Sequence, residues 1–192
     1  MSKITPISPK KSQEARDLYT TGIESYSTAQ TQLLSDIAIS LNLDELNEEL
    51  INEVLAKLGE YTDVGRIVLG KKSEDNKTFS FVGEWVAEGV ETISDKFDHF
   101  KYADIPTFYD ELFGKGIWYF SDRKDLPKEL KLLEKVNGTF AALALPVYVN
   151  SKAWGGLGYD VMEGPRIWSK EDIHLMMIIS HLLGLALAKC PL

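Results

Sequence analysis

The chain contains little cysteine and little histidine, which limits the chemistry that it can carry out. Of its 192 residues, one is cysteine, Cys190, and three are histidine. A single cysteine excludes a disulfide within the chain and fits a reducing compartment. His174 and His181 are seven residues apart on a predicted helix, so about 10 Å separates them, too far to share one metal ion. We therefore expect no metal site and no enzyme activity, while haem ligation by His99 stays open without a motif that supports it.

Positive charge and long apolar runs are also scarce. The 21 lysines and arginines are outnumbered by 29 acidic residues, which gives a net charge of −8. Such a charge disfavours nucleic acid and anionic membranes as partners, since both are negative. The N-terminus lacks the apolar core of a signal peptide, and no uncharged apolar run of about 20 residues is present. The final helix comes nearest to a membrane span, but its two histidines and acidic start argue against one. We expect a cytoplasmic protein without membrane insertion.

The last third of the chain has the clearest pattern of strands. Residues 140–149 are mostly apolar and predict a strand, with Pro146 at an edge or a bulge. Asn150-Ser151 predicts a two-residue reversal, and residues 152–161 predict the return strand. Since 44% of the chain is hydrophobic, it can bury one good core, and one domain is expected.

A long helix follows these strands, and its start is well marked. Ser169 is a good N-cap, Asp172 three residues later can bond back to it, and Trp168 and Ile173 are placed as a hydrophobic staple. The helix that follows is apolar on nearly every side. Such a helix must be covered on more than one side, so we interpret it as part of an interface.

Two helices are predicted near the N-terminus, after an irregular lead-in at residues 1–11. Residues 12–41 have apolar positions in steps of three and four, as an amphipathic helix has. At about 45 Å this helix would either project and pack on a partner or bend across the sheet. A second helix is predicted from an Asp44 cap to about Leu58, with Gly59 as its C-terminal stop.

The middle of the chain predicts two strands, then a long irregular segment. The strands are residues 65–71 and 78–86, and the irregular segment is 87–114. A loop of this length inside one domain is more often functional than not. A short strand at 117–120 and a short helix at 127–136 follow.

Several stretches together resemble the GAF domain family. They are FVGEWVAEGVETISDKFDHFKYADIP at 81–106, Leu112 to Gly116, Phe120 to Pro127, a Gly-rich strand ending in Tyr159-Asp160, and Arg166-x-Trp168-Ser169 opening a long helix. The resemblance runs from about Leu33 to Lys189 and is greatest for the GAF modules of bacterial sensor kinases and cyclic-dinucleotide signalling proteins. We therefore expect a single GAF domain over residues 33–189.

The resemblance implies an α+β, GAF/PAS-like fold. Its expected form is an antiparallel sheet of five or six strands, with helices on both faces and the long N-terminal and C-terminal helices packed together. It also implies a non-catalytic sensor that binds a small molecule beneath residues 87–136 and signals to a kinase or cyclase output domain or partner. Pocket cysteines, which methionine sulfoxide reductases and covalent bilin sites of the family need, are missing, so we expect neither activity nor a covalent bilin.

Aromatic residues are the natural walls of such a pocket, although each can equally be core. The ligand-contacting residues predicted here are Trp85, Phe100, Tyr109, Trp118, Tyr119 and Tyr159. On the short strand, Trp118 and Phe120 face one way and Ile117 and Tyr119 the other, and the pattern does not decide which pair faces inward. Arg123 and Lys124 follow this strand and suit an anionic ligand or are solvated.

The two long apolar helices predict a homodimer. The residues expected at its interface are Leu18, Tyr26, Leu33, Ile37, Met177, His181 and Leu185. An alternative function stays open, in which the chain is a dimerisation scaffold whose pocket is filled by its own aromatic side chains.

Overall fold

One antiparallel sheet runs through the computed structural model, which describes residues 27–43, 45–94, 100–126, 128, 130 and 138–189. Its six strands are β1 (Arg66–Lys72), β2 (Thr78–Val86), β3 (Phe100–Lys101), β4 (Trp118–Phe120), β5 (Ala141–Val149) and β6 (Lys152–Val161). They lie in the order β3-β2-β1-β6-β5-β4. The bounds predicted for β2 and β6 are confirmed, and a turn precedes each of these strands in the sequence.

Helices cover both faces of this sheet. They are α1 (Thr28–Leu43), α2 (Glu48–Thr62), α3 (Pro106–Lys115) and α4 (Lys170–Lys189). The helices α1, α2 and α4 lie on one face, where α4 packs on β5, α2 on β2, and α1 on α4. On the other face, α3 packs against β4 and β5. The α+β fold with packed N-terminal and C-terminal helices is thereby confirmed.

The start of α4 is the capping box that its sequence predicts. The hydroxyl of Ser169 accepts a hydrogen bond from the backbone N–H of Asp172 at 3.0 Å. In return, the backbone N–H of Ser169 donates to the Asp172 carboxylate at 3.3 Å. Trp168, just before the cap, is buried and donates its indole N–H to the carbonyl of Phe120 at 3.3 Å. These bonds fix the start of α4 against the end of β4.

The helix α4 also has the length and composition of a membrane span. Among the described residues it alone passes this test, with a mean hydropathy of 1.4 over its most apolar stretch. Its inner side, which includes Leu175, Met176, Ile179 and Leu183, belongs to the core between the sheet and the helices. A core helix of this kind satisfies the same criteria of length and composition.

Both predicted ends of α2 are wrong. The N-cap is Asn47 instead of Asp44, and its side chain accepts the N–H of Leu50 at 2.9 Å. The helix continues through Gly59 to Thr62 and ends at Asp63, which has a left-handed φ of 51°. Gly59 serves packing, because a Cβ there would lie 2.0 Å from the ring of Trp85 on β2. Its missing side chain lets the helix approach the sheet closely.

Two other predicted helices are only partly testable. Of the helix predicted at 12–41, the described part begins at Thr28, so Leu18 and Tyr26 lie outside the described residues. The helix predicted at 127–136 lies mostly outside them as well. The helix α3, by contrast, lies inside the segment that was predicted to be irregular, and it begins with Pro106, a residue suited to the first turn of a helix.

The strand register decides which side chains share a face. One row across the sheet points toward α1, α2 and α4: Trp85, Ile67, Tyr159, Leu143 and Tyr119. The next row points to the opposite face, toward α3: Glu84, Val68, Gly158, Ala144 and Trp118. Neighbouring residues on one strand point to opposite faces, so the two rows serve two separate layers of the domain.

Candidate functional site

A cavity lies between the sheet and α3, on the face opposite the three packed helices. Its volume is about 140 Å³. Small side chains of β5 and β6 form its floor, and residues of α3, β2 and β4 form its walls. Ile93 and Ile105 from the connection between β2 and α3 also line it, as do Leu126 and Leu130 after β4.

The floor is bare because the sequence places small residues there at every second position. Ala142 and Ala144 on β5 lie opposite Asp160 and Gly158 on β6, and Gly156 follows in the same line. A Cβ at Gly158 would lie 3.0 Å from a methyl of Val68, and one at Gly156 would lie 3.1 Å from a methyl of Leu112. The floor therefore carries no long side chain of its own, and Val68 and Leu112 pack closely over its two glycines.

Aromatic rings form much of the wall. The ring of Trp118 lies 4.9 Å from that of Phe108 on α3 and 5.4 Å from that of Phe120, in both cases edge to face. Phe79 and Phe81 on β2 line the cavity from the other side. Edge-to-face packing of this kind holds rings firmly in position, so these walls form a rigid surface.

One end of the cavity is polar and contains a buried ion pair. The guanidinium of Arg66, only 1% exposed, donates from Nε and Nη2 to Oδ2 of Asp160 at 2.9 and 2.7 Å. Its Nη2 also donates to the hydroxyl of Thr139 at 3.1 Å, and its Nη1 to the carbonyl of Glu91 at 3.2 Å. Asp160 and Thr139 line the cavity, whereas Arg66 lies behind them.

The carboxyl group of Asp160 is under opposing influences. Burial raises its pKa above the ordinary value, while the charge of Arg66 and hydrogen bonds from Arg66 and Thr139 act in the other direction. The negative charge of Glu84 adds a smaller effect in the same direction as burial. The carboxyl group is thus paired with Arg66 in an apolar place, where a further hydrogen-bond donor would stabilise its ionised form.

Glu84 ties a loop over the cavity. Its two carboxylate oxygens accept the backbone N–H groups of Ile93 and Ser94 at 2.8 and 3.0 Å. This places Ile93 on the cavity lining and fixes the segment that follows β2. Glu84 lies in the same row of the sheet as Gly158 and Trp118, so the register turns its side chain to the cavity face.

Arg123 and Lys124, the two cations that suit an anionic ligand by sequence, contact other groups of the chain. Arg123 donates to the carbonyls of Thr139 and Gly138, and its guanidinium lies 3.9 Å from the ring centre of Phe140. Lys124 is exposed and lies 2.9 Å from the carboxylate of Asp122. Arg123 thus positions the start of β5, and neither residue lines the cavity.

The predicted pocket residues do not form one group. Trp118 lines the cavity, which decides that Trp118 and Phe120 face inward. Trp85 and Tyr159 belong to the row that faces the helices, and Tyr119 in that row is 55% exposed. The prediction that these three share a pocket with Trp118 is wrong, because the register turns them to the opposite face.

The two remaining pocket residues lie elsewhere. Tyr109 is on α3 beside the cavity, with its ring 4.2 Å from that of Tyr102 and 4.9 Å from that of Phe113. The side chain of Phe100 lies outside the described residues. The lining residues that sequence reasoning missed include Phe79 and Phe81 on β2 and the small residues of the floor, for which the spacings Ala142-x-Ala144 and Gly156-x-Gly158 were a usable signal.

The predicted interface residues divide in a similar way. Leu33 and Ile37 are buried in the core of the chain itself, and Met177 packs against that core. These three already have partners within the chain, so the prediction that they form a dimer surface is wrong for Leu33 and Ile37. His181 is exposed, and Leu185 is 65% exposed. Ile39, which was not predicted, is 52% exposed on α1.

Metal binding finds no site within the described ranges. No group of three or more His, Cys, Asp or Glu side chains is close enough there to hold one ion. His99 and Cys190 lie outside these ranges.

Comparisons with known proteins add to this geometry. No family model matches the chain. It is 27% identical over 142 residues to the methanogenesis regulatory histidine kinase FilI of Methanothrix harundinacea, a match that covers 71% of this chain and 16% of that protein. The chain thus spans a small part of that relative's length.

Solved structures match over most of the chain. The phycocyanobilin-bound GAF domain of a cyanobacterial phytochrome matches with a TM-score of 0.71 and 19% identity, over 85% of this chain and 96% of that one. A far-red-absorbing, biliverdin-bound protein matches with a TM-score of 0.72 and 14% identity, over 84% and 100%. The PixJ GAF domain of Thermosynechococcus elongatus matches with a TM-score of 0.63 and 16% identity, over 86% and 90%. At these identities the likeness concerns the fold.

Proposed function

Starting from the GAF fold of this chain, we propose that it is a non-catalytic, cytoplasmic sensory domain. It binds a small molecule in the cavity beneath α3 and transmits the binding event through α1 and α4. The observation that carries this proposal is the cavity itself, which is partly open to solvent, largely apolar and bounded at one end by a few convergent polar groups. Small-molecule sites in proteins typically have this composition.

The sheet supplies a short route from the cavity to the helices. Ala142 and Ala144 form part of its floor, while the adjacent Leu143 and Leu145 belong to the core on the helical side. A second route passes through Phe120, a wall residue whose carbonyl accepts the indole N–H of Trp168 just before α4. A ligand moves these elements only if it binds two of their arrangements with different affinity.

Arg166 extends the second route to α2. It donates to the carbonyls of Thr62 and Asp63 at the end of α2, at 2.7 and 3.1 Å. Its guanidinium also lies 4.8 Å from the ring centre of Trp168. A shift of β4 at the cavity wall therefore reaches the start of α4 and the end of α2 together.

We propose further that two copies of the chain associate through α1 and α4. The C-terminal ends of these packed helices meet, since Lys189 donates to the side chain of Asn42 at 2.8 Å. Ile39 and Leu185 each lie one turn before that contact, so two exposed apolar residues stand at the same level of the helix pair. A second copy covering them would remove this apolar surface from water.

Sedimentation tests the dimer. The full chain at micromolar concentration is expected at twice the 21.6 kDa mass of the monomer. Leu185→Glu should shift it toward the monomer, whereas Ile167→Glu, at an exposed position before α4, should leave it unchanged. A monomeric full-length chain would refute the dimer.

The output of the sensor is proposed from the kinase relative. FilI is by name a regulatory histidine kinase, and the chain matches only 16% of it. We propose a kinase or cyclase as the output, carried by the same protein or by a partner.

A bilin does not fit the cavity. The similar structures hold biliverdin or phycocyanobilin by their descriptions. A tetrapyrrole is several times larger than the cavity of about 140 Å³. Binding one would require the floor or the aromatic walls to move.

Native mass spectrometry tests whether the cavity holds any ligand. Protein purified from its own host is compared under native and denaturing conditions, and the mass difference gives any retained small molecule. We expect one to be retained and to be lost on denaturation. Bare protein, together with no thermal shift across a panel of metabolites, would favour the dimerisation scaffold instead.

A further inference from the structure

The size of the cavity limits what it can hold, and the inference drawn from it rests on the proposed sensory function. Its volume of about 140 Å³ is close to that of an engineered cavity of roughly 150 Å³ that binds benzene. Pockets for drug-sized ligands are larger, at roughly 300–1,000 Å³. A ligand that lies wholly within the cavity therefore has on the order of six to ten non-hydrogen atoms.

The shape of the cavity favours a flat ring. Its floor is two strands whose residues there carry at most a methyl group, Ala142, Ala144, Gly156 and Gly158. Aromatic rings stand around this floor on three structural elements, α3, β2 and β4. A planar ligand can lie on the strands and meet these rings edge to face, the arrangement that aromatic pairs prefer.

The polar end of the cavity favours a donor and opposes an anion. Arg66 donates two guanidinium hydrogen bonds to Oδ2 of Asp160 and Thr139 donates one to the same carboxylate, which has acceptor sites for about four hydrogen bonds in all. Arg66 does not line the cavity, and Glu84 lies near with a second negative charge. A ligand O–H or N–H group would form a favourable hydrogen bond with Asp160. The negative charges of Asp160 and Glu84 would repel a ligand carboxylate.

We propose that this cavity binds a small, neutral aromatic compound with one hydrogen-bond donor, of the phenol or indole type. The ring lies on the Gly and Ala floor between Trp118 and Phe81, and the donor bonds to Asp160. A compound of this class matches the volume of the cavity, its flat floor with aromatic walls, and the hydrogen-bond acceptor at its polar end.

Calorimetric titration of the full chain with phenol, toluene and benzoate separates these features, because the three share one ring. Phenol is expected to bind at least tenfold more tightly than toluene, since a hydrogen bond to a charged group is among the stronger ones. Benzoate is expected not to bind. Equal binding of phenol and toluene, or a preference for benzoate, would overturn the assignment.

Two variants locate the binding. Ala144→Leu fills the space above the floor and should abolish phenol binding. Ala153→Leu adds the same atoms to a residue of β6 that does not line the cavity, and should leave binding unchanged. Where circular dichroism shows that Ala144→Leu does not fold, Ala142→Val blocks the same floor with fewer atoms. Phenol binding that survives a folded blocking variant would place the ligand elsewhere.

The failure of this inference differs from the failure of the sensory function. If phenol and indole do not bind but host-purified protein retains another molecule that Ala144→Leu loses, the ligand class is wrong and the sensory function stands. If no compound binds and no molecule is retained, both proposals fall.

Discussion

Replacing Arg66 with methionine should destabilise the domain strongly. Its guanidinium is 1% exposed and the Asp160 carboxylate 14% exposed, so the variant leaves a buried negative charge without its cation. Breaking a buried pair in this way typically costs about 3–5 kcal/mol. For a domain of this size, about 2–4 °C of melting temperature is lost per kcal/mol, so we expect a decrease of roughly 6–20 °C by circular dichroism.

A matched surface pair supplies the control. Lys77 and Asp75 lie 3.2 Å apart, and both side chains are largely exposed. Lys77→Met should therefore change the free energy of unfolding by about 0–1 kcal/mol. If Arg66→Met has no more effect than Lys77→Met, the charges at the end of the cavity are not buried from water as the structure has them.

The double variant tests whether the effect arises from the unpaired charge. Asp160→Asn alone leaves a buried cation, and Arg66→Met alone leaves a buried anion. With both changes no buried charge remains, so the loss should be smaller than the sum of the two single losses by at least about 1.5 kcal/mol. Additive losses would show that packing and the bonds to Thr139 and Glu91 account for the effect instead.

Three further outcomes follow from single residues. The buried hydroxyl of Tyr159 has no hydrogen-bond partner among the described residues, so Tyr159→Phe should raise the free energy of unfolding by about 1 kcal/mol in urea titration, and a loss would reveal a hidden partner. Gly59→Ala should destabilise the domain by about 1–3 kcal/mol, although alanine has the better helix propensity, because the new Cβ would lie 2.0 Å from the ring of Trp85. The control is Gly114→Ala in α3, where a Cβ would meet nothing within 4 Å. This variant should be neutral or stabilising by up to about 1 kcal/mol. Although the His181 side chain is exposed overall, desolvation of part of it lowers its pKa below the ordinary value near 6.5. The unfolded chain therefore binds more protons between the two pKa values, and stability falls as the pH drops through that window. Melting curves at several pH values should show this decrease flattened in His181→Gln, and an unchanged slope would contradict it.

Local signals predicted much of the fold. The bounds of β2 and β6 and the Ser169 and Asp172 capping box depend on residues close together in the sequence, and the structure has them as predicted. Gly59 shows where such signals end. A glycine near a helix terminus usually ends the helix. Here the helix continues, and the Trp85 ring of β2 fills the space that a side chain at Gly59 would need.

The candidate site was harder to predict because it depends on which residues face each other across the sheet. Aromatic composition suggested Trp85, Tyr119 and Tyr159 as pocket residues, but a one-residue difference in position along a strand reverses the face. The register places all three in the row that faces the helices, with Tyr119 at its end on the edge strand β4. The cavity owes its space to small residues, which a search for chemically distinctive side chains overlooks.

By itself, then, the amino-acid sequence determined most of the strands and long helices and their order, the negative net charge and the resemblance to GAF domains, because these follow from local patterns and composition. Only the tertiary structure decided that Arg66 and Asp160, 94 positions apart, meet behind one cavity. It also decided that Leu33 and Ile37 belong to the core while Ile39 and Leu185 remain exposed. The physical reason is that burial and charge pairing are properties of the packed chain, set by strand register and helix placement.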